Sequence, residues 1–188
     1  MFVKKIICLT AMLLSSTLLF SQNNNVENSF YGIQTGFLGV WVHNESRLAP
    51  NLALRSEVGF NAGLIGGAFV EDGLIFAPII TLEPRYYYNI DQRSSKGKST
   101  FNNAANFISF DISYSPDWFV ISSIDNVEVL DNISFIPKWG IRRNLGKDFN
   151  YEAGIGLGYR FYFSNEAIYT DDQQELAADI HLRIGYTF

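Results

Sequence analysis

Apolar and polar residues alternate with a period of two along most of the chain after residue 29, the pattern of a strand with two unlike faces. The last segment shows it best. Leu176, Ala178, Ile180, Leu182, Ile184, Tyr186 and Phe188 fall on one face, with Ala177, Asp179, His181, Arg183, Gly185 and Thr187 on the other. The segment before it sets Tyr151, Ala153, Ile155, Leu157, Tyr159, Phe161 and Phe163 against Glu152, Gly154, Gly156, Gly158 and Arg160. Residues 52–64, 79–90, 107–114 and 133–143 repeat the pattern, and 30–43 follows it less cleanly. Seven strands result. An eighth is placed within Trp118–Val129 (WFVISSIDNVEV), which is β-prone but hardly alternates. Turn signals separate the runs: Asn44 to Pro50, Glu71-Asp72-Gly73, the basic stretch Arg93 to Asn103, the short NLGKDFN at 144–150, and an acidic loop at 164–175. Pro78, Pro84 and Pro137 lie inside runs, where bulges or breaks are expected.

The polar faces, taken together, carry Arg55, Glu57, Glu83, Arg85, Asp111, Lys138, Arg142, Glu152, Arg160, Asp179, His181 and Arg183. This near-balanced set suits a narrow interior where charges pair because little water is present. The apolar faces run six or seven positions per strand, enough to cross a bilayer when tilted, and carry Tyr and Phe towards strand ends. The expected fold is therefore all-β: a closed antiparallel up-and-down transmembrane barrel of about eight strands, apolar outside and charged inside. Glycines 154, 156 and 158 leave room beside long Arg side chains. The same alternation also fits a soluble ligand-binding barrel with the charges on its outer surface.

Composition agrees. Aromatics make up 15% of the 188 residues and charged residues only 18%, against about 25% in ordinary soluble domains. A net charge of −5 argues against nucleic acid as a partner. The start differs: Lys4 and Lys5 precede an uncharged run from Ile6 to Phe20, then Ser21 and a polar stretch, the layout of a signal peptide cleaved before Gln22. The expected organisation is a signal peptide over 1–21, a short segment over 22–28 and one barrel domain over 29–188. Cys8 is the only cysteine, so the mature chain would have no disulfide, thiol nucleophile or Cys-ligated metal.

The chain ends on His181-Leu182-Arg183-Ile184-Gly185-Tyr186-Thr187-Phe188. This resembles the C-terminal signal of outer-membrane β-barrels, with Leu182, Ile184, Tyr186 and Phe188 in the positions that barrel-assembly machinery recognises. Residues 23 to 188 are similar to small OmpA-, OmpX- and OmpW-type barrels. The segments LEPRYYYN and WGIRRNLGKDFNYEAGIGLGYRFYF are similar to uncharacterised barrels of Bacteroidetes type. The resemblance implies an outer-membrane location, a periplasmic C-terminus, an extracellular 164–175 loop, and 93–103 and 144–150 in the periplasm. An even strand count is then needed to bring the N-terminus to the same side. The implied partners are outer-membrane lipid, lipopolysaccharide and the assembly machinery, with the protein a monomer.

Candidate chemistry is sparse. Gly97-Lys98-Ser99 lacks the earlier glycine of a phosphate loop, that position being Gln92, and Gly154-x-Gly156-x-Gly158 lacks dinucleotide-site spacing. His181 shares a face with Asp179, which could orient it as a base, but no serine stands out as nucleophile. His43 is expected beside a turn, in solvent. The expectation is no catalytic activity, no cofactor and no metal, with a structural, surface-interaction or small-solute (porin-like) role. The alternatives are a barrel enzyme modifying lipid A or phospholipid, and a soluble periplasmic binding barrel.

Overall fold

The computed structural model describes residues 25–37, 39–67, 70–124, 127, 129–163 and 174–188. The expected signal peptide and most of the 164–175 loop lie outside them. Nine strands form: β1 (Ser29–Gly36), β2 (Gly39–Ala49), β3 (Leu52–Gly67), β4 (Val70–Tyr86), β5 (Asn106–Ser115), β6 (Ile121–Ser122), β7 (Asn132–Leu145), β8 (Phe149–Tyr162) and β9 (Gln174–Thr187). Eight of them pair antiparallel in the cyclic order β1-β2-β3-β4-β5-β7-β8-β9, and β9 returns to β1. The pairing of β9 with β1 closes the barrel. The two-residue β6 is an accessory, pairing with β4 at Ile75 and Phe76.

Among the described residues of 118–129 the two-residue β6 is the strand that forms, and the eighth barrel strand lies elsewhere. It comes from 30–43, which is a hairpin. Gly36 pairs with Gly39 across the turn at Phe37, and β2 continues through the predicted turn at Asn44 to Ala49. The weak alternation there has a simple cause: the turn switches the inward set from Phe30, Gly32 and Gln34 to Trp41, His43 and Glu45. Trp41 points inward and is 3% exposed. Glu71-Asp72-Gly73 likewise belongs to a strand, since β4 starts at Val70.

The prolines produce no bulge. β4 stays in register with β3 through Pro78 and Pro84, and with β5 on both sides of Pro84. The β4–β5 ladder is simply missing its pairs at Glu83 and Pro84, and the β7–β8 ladder those at Ile136 and Pro137. A missing N–H removes a bond from one neighbour and leaves the register intact.

Both described termini lie at one end of the barrel, together with the connection 87–105. That connection is not a plain basic turn. Ile90–Ser95 forms a short helix, α1, and Phe101–Asn103 a 3-10 turn in which Asn102 and Asn103 adopt φ of 52° and 57°, a conformation asparagine tolerates. Tyr87, Ile90, Ala105 and Phe107 fold under the barrel and meet Val26 and Ala53 in an apolar plug. Ile90, expected on the lipid-side face of a longer strand, is wholly buried there. The segment is pinned by Val26 N–H to Pro50 O (2.8 Å), Glu27 N–H to Asn103 Oδ1 (2.7 Å) and Arg93 Nε to Ala104 O (2.7 Å). Each fully buried large side chain contributes about 1.5–3 kcal/mol. This end of the barrel is sealed.

Candidate functional site: a charge-filled interior

Above the plug most of the buried inward side chains are polar or charged. Glu45 on β2 accepts hydrogen bonds from Tyr87 Oη (2.6 Å), Asn103 Nδ2 (2.5 Å) and Arg142 Nη1 (2.9 Å). Arg142 also donates through Nε to Glu152 (2.9 Å). Glu152 takes a bidentate pair from Arg85 (2.8 and 2.9 Å), and Arg85 reaches Glu83 at 2.6 Å. The flat faces of Arg85 and Arg142 lie over the rings of Phe107 and Phe30, with guanidinium-to-centroid distances of 4.4 and 5.6 Å. Stacking of this kind suits a weakly hydrated, planar cation.

One level further from the plug, Ser109 donates to Glu83 (2.6 Å), and Lys138 bonds Asp111 (2.7 Å) and approaches Glu83 (3.4 Å) and Asp179 (3.6 Å). Ser113 donates to Asp111. Arg55 pairs with Glu57 and donates to Gln34 (2.7 Å), and Arg183 donates to both Glu57 oxygens (3.1 and 2.9 Å) while lying 3.9 Å over Trp41. His181 Nδ1 contacts Asp179 Oδ1 at 2.5 Å, and its Nε2 faces Glu152 at 3.6 Å.

Of the twelve charged or ionisable residues singled out by sequence, eight (Glu83, Arg85, Asp111, Lys138, Arg142, Glu152, Asp179 and His181) therefore meet in one network, and Arg55, Glu57 and Arg183 form a second group inside the barrel. Arg160 joins neither. It sits at the far rim with a 40% exposed side chain, paired with Glu175 at 2.8 Å. The cost of removing these charges from water is offset only because each carboxylate has a cation or at least one hydrogen-bond donor beside it. Sequence missed Glu45, Gln34 and Asn150, all nearly fully buried. His43 is also inside, 2% exposed and edge-on to Phe30, so the solvated placement is corrected. The glycines of β8 leave room chiefly for other partners than arginine. A Cβ on Gly154 would stand 2.8 Å from His181 Nε2, one on Gly156 2.5 Å from Lys138 Cγ, and one on Gly158 1.9 Å from the Phe135 carbonyl.

At the end away from the plug the network gives way to a cavity of about 300 Å³. Glu57, Thr81, Asp111, Ser113, Asp179 and Arg183 line it, with Trp41 and Ile136 as its apolar wall. The interior is thus a cup, closed below by apolar residues and salt bridges. His181 and Asp179 have the orienting contact a general base needs, while the Ser109 and Ser113 hydroxyls bond carboxylates or Thr81 instead. Among the described residues no group of three His, Cys, Asp or Glu side chains is placed to hold a metal ion. Gly97-Lys98-Ser99 lies just beyond α1, a turn and not a strand-to-helix phosphate cradle. The assembly-signal residues Leu182, Ile184, Tyr186 and Phe188 all face outward on β9 or just after it.

No protein-family model matches this chain, and no curated protein matches it.

Proposed function

We infer that this chain is an integral outer-membrane β-barrel protein, a monomer with a structural or surface-interaction role and no catalytic activity or cofactor. One observation carries the reading: every one of the eight barrel strands turns large apolar side chains outward, while the buried charges lie inside. Tyr31 and Ile33, Val40 and Val42, Val58, Ile80 and Leu82, Ile108 and Phe110, Trp139, Ile155 and Leu157, and Ile180 and Leu182 are all exposed. Water would not tolerate so continuous a belt on a monomer, whereas acyl chains match it. From Tyr186 to Leu176 on β9, ten residues at about 3.3 Å each and tilted by about 40° span about 25 Å, the height of an outer-membrane apolar band.

Aromatics mark both borders. Tyr31, Tyr86, Tyr88, Phe149, Tyr186 and Phe188 ring the plugged end, and Tyr159, Phe161, Phe163, Trp118 and Phe119 the other. Trp139 Nε1 and Asn106 Nδ2 both donate to Tyr88 Oη, as polar tips do near an interface. The outward Leu182, Ile184, Tyr186 and Phe188 support recognition by barrel-assembly machinery, and the belt and its aromatic borders support contact with outer-membrane lipid and lipopolysaccharide. The test is electrophoretic heat-modifiability in isolated membranes. An outer-membrane band that shifts on boiling is expected; an unshifted band in the soluble fraction overturns the reading.

A further inference from the structure

The barrel wall is not of even height. The β1–β2 hairpin stops where Gly36 pairs with Arg183 and Gly39 with Asn61. β9 extends nine residues past that level, Leu182 back to Gln174, with β8 on one side. β3 extends from Ala62 to Gly67 with β4 on one side. Among the described residues no strand pairs with the other edge of either extension. A notch therefore stands between β3 and β9, with Phe37, 86% exposed, at its foot.

The cavity reaches this notch. Its lining takes Asp179 and His181 from the inner face of β9, but also Ala178 and Ile180 from the outer face, and Asn61 and Ala62 from β3 across the gap. Residues 178–181 of β9 and Ala62 of β3 all lie beyond the level at which the β1–β2 hairpin stops, so the cavity borders the gap that the hairpin leaves. The cup thus opens sideways, into the apolar belt.

What fits is set by the two environments. Inside, the carboxylates and cations are already paired with one another, so a guest of large net charge would bring an uncompensated charge into a desolvated site. Unspent donor capacity remains in the lining: Arg183 is nine-tenths buried, gives Nη1 to Glu57 and has no partner for Nε, and Arg160 Nε is likewise without one. Outside, Ile180 and Leu182 are 73% and 67% exposed along the opening. We propose that the cup takes the zwitterionic head of a membrane phospholipid, entering through the notch between β3 and β9, with its acyl chains left in the bilayer against Ile180 and Phe37. The volume, at the lower end of ligand sites (about 300–1,000 Å³), holds a head and excludes the chains. The proposal rests on the membrane-spanning reading.

The two are separated by two tryptophans. Trp41 lines the cup and Trp139 faces outward on β7. Trp118→Phe with Trp139→Phe leaves only Trp41; Trp41→Phe with Trp118→Phe leaves only Trp139. Each is reconstituted in vesicles of phosphatidylcholine brominated on its acyl chains near the head. Trp41 is expected to be quenched about half as strongly as Trp139 or more, and Ser134→Phe, which fills the cup from the opposite wall, to lower that quenching about threefold without affecting Trp139. Brominated phosphatidylglycerol, with its net charge, is expected to quench Trp41 about threefold less. Quenched Trp139 with Trp41 unquenched, or quenched equally with and without Ser134→Phe, overturns the lipid site alone. Equal quenching by both lipids overturns the zwitterionic assignment. Unquenched Trp139 overturns the membrane reading and the site with it.

Discussion

Glu152 accepts from Arg85 through both oxygens and from Arg142 through one, and His181 stands 3.6 Å away. Removing it takes away the carboxylate that both guanidinium groups bond directly, leaving Arg85 with Glu83 and Arg142 with Glu45. Glu152→Ala is expected to cost about 3–5 kcal/mol, read as a lowered denaturation midpoint of the folded band in detergent. Arg160→Ala, which breaks the exposed pair with Glu175, should cost about 0–1 kcal/mol in the same assay. If both variants fall equally, the buried network is not what holds the interior. The contrast between these residues was only partly legible in the sequence. Alternation put Glu152 and Arg160 on one face, but nothing in it says that one lies deep and the other at a rim. Glu45 escaped because NESRLAP has the composition of a turn. Its strand state is imposed by pairing with β1 and β3, which a local reading does not see.

Among the elements, the β1–β2 hairpin shows what composition hides. Gly39 has φ of +144°, and a Cβ there would stand 2.0 Å from the Phe60 carbonyl, so the turn needs glycine both for its own dihedral and for the close approach of β3. Gly39→Ala should reduce the heat-modifiable fraction recovered on refolding into detergent, while Gly97→Ala, at a turn where a Cβ meets nothing within 4 Å, should reduce it far less. Equal losses would mean that dihedral strain alone, not the approach to β3, sets the requirement. The apolar Phe37 between Gly36 and Gly39 made this turn read as a continuing strand, and so cost the count its eighth member. The long strands β7, β8 and β9 had no such interruption, and their faces were readable throughout. The 87–105 connection failed in the opposite way: its exposed basic residues gave a surface loop, while Tyr87, Ile90, Ala105 and Phe107 are spaced too irregularly to declare a buried plug.

For the whole molecule, plug and salt bridges lie in series below the cup. An eight-stranded cylinder has little spare cross-section, and here long Arg and Lys side chains occupy it. In planar bilayers the protein is expected to insert without stepwise ion conductance; regular steps at moderate voltage would mean the network opens, and a solute-passing role would replace the plugged one. The closed all-β architecture was legible because period-two alternation is a property of every strand at once. The uneven wall was not, because it depends on where each hairpin stops relative to its neighbours, a matter of register between segments far apart in sequence.

The seam between β1 and β9 holds only five residue pairs, yet Phe188 N–H still reaches Tyr31 O at 3.1 Å, so the last described residue lies beside the first strand. What the hydrogen-bond ladder encodes is a cyclic order. A chain rejoined between residues 188 and 25 and opened at the tight turn around Gly146 would trace the same cylinder, with β8 as its opening strand. Which strand comes first is a matter of synthesis and sorting, to which the finished cylinder is indifferent.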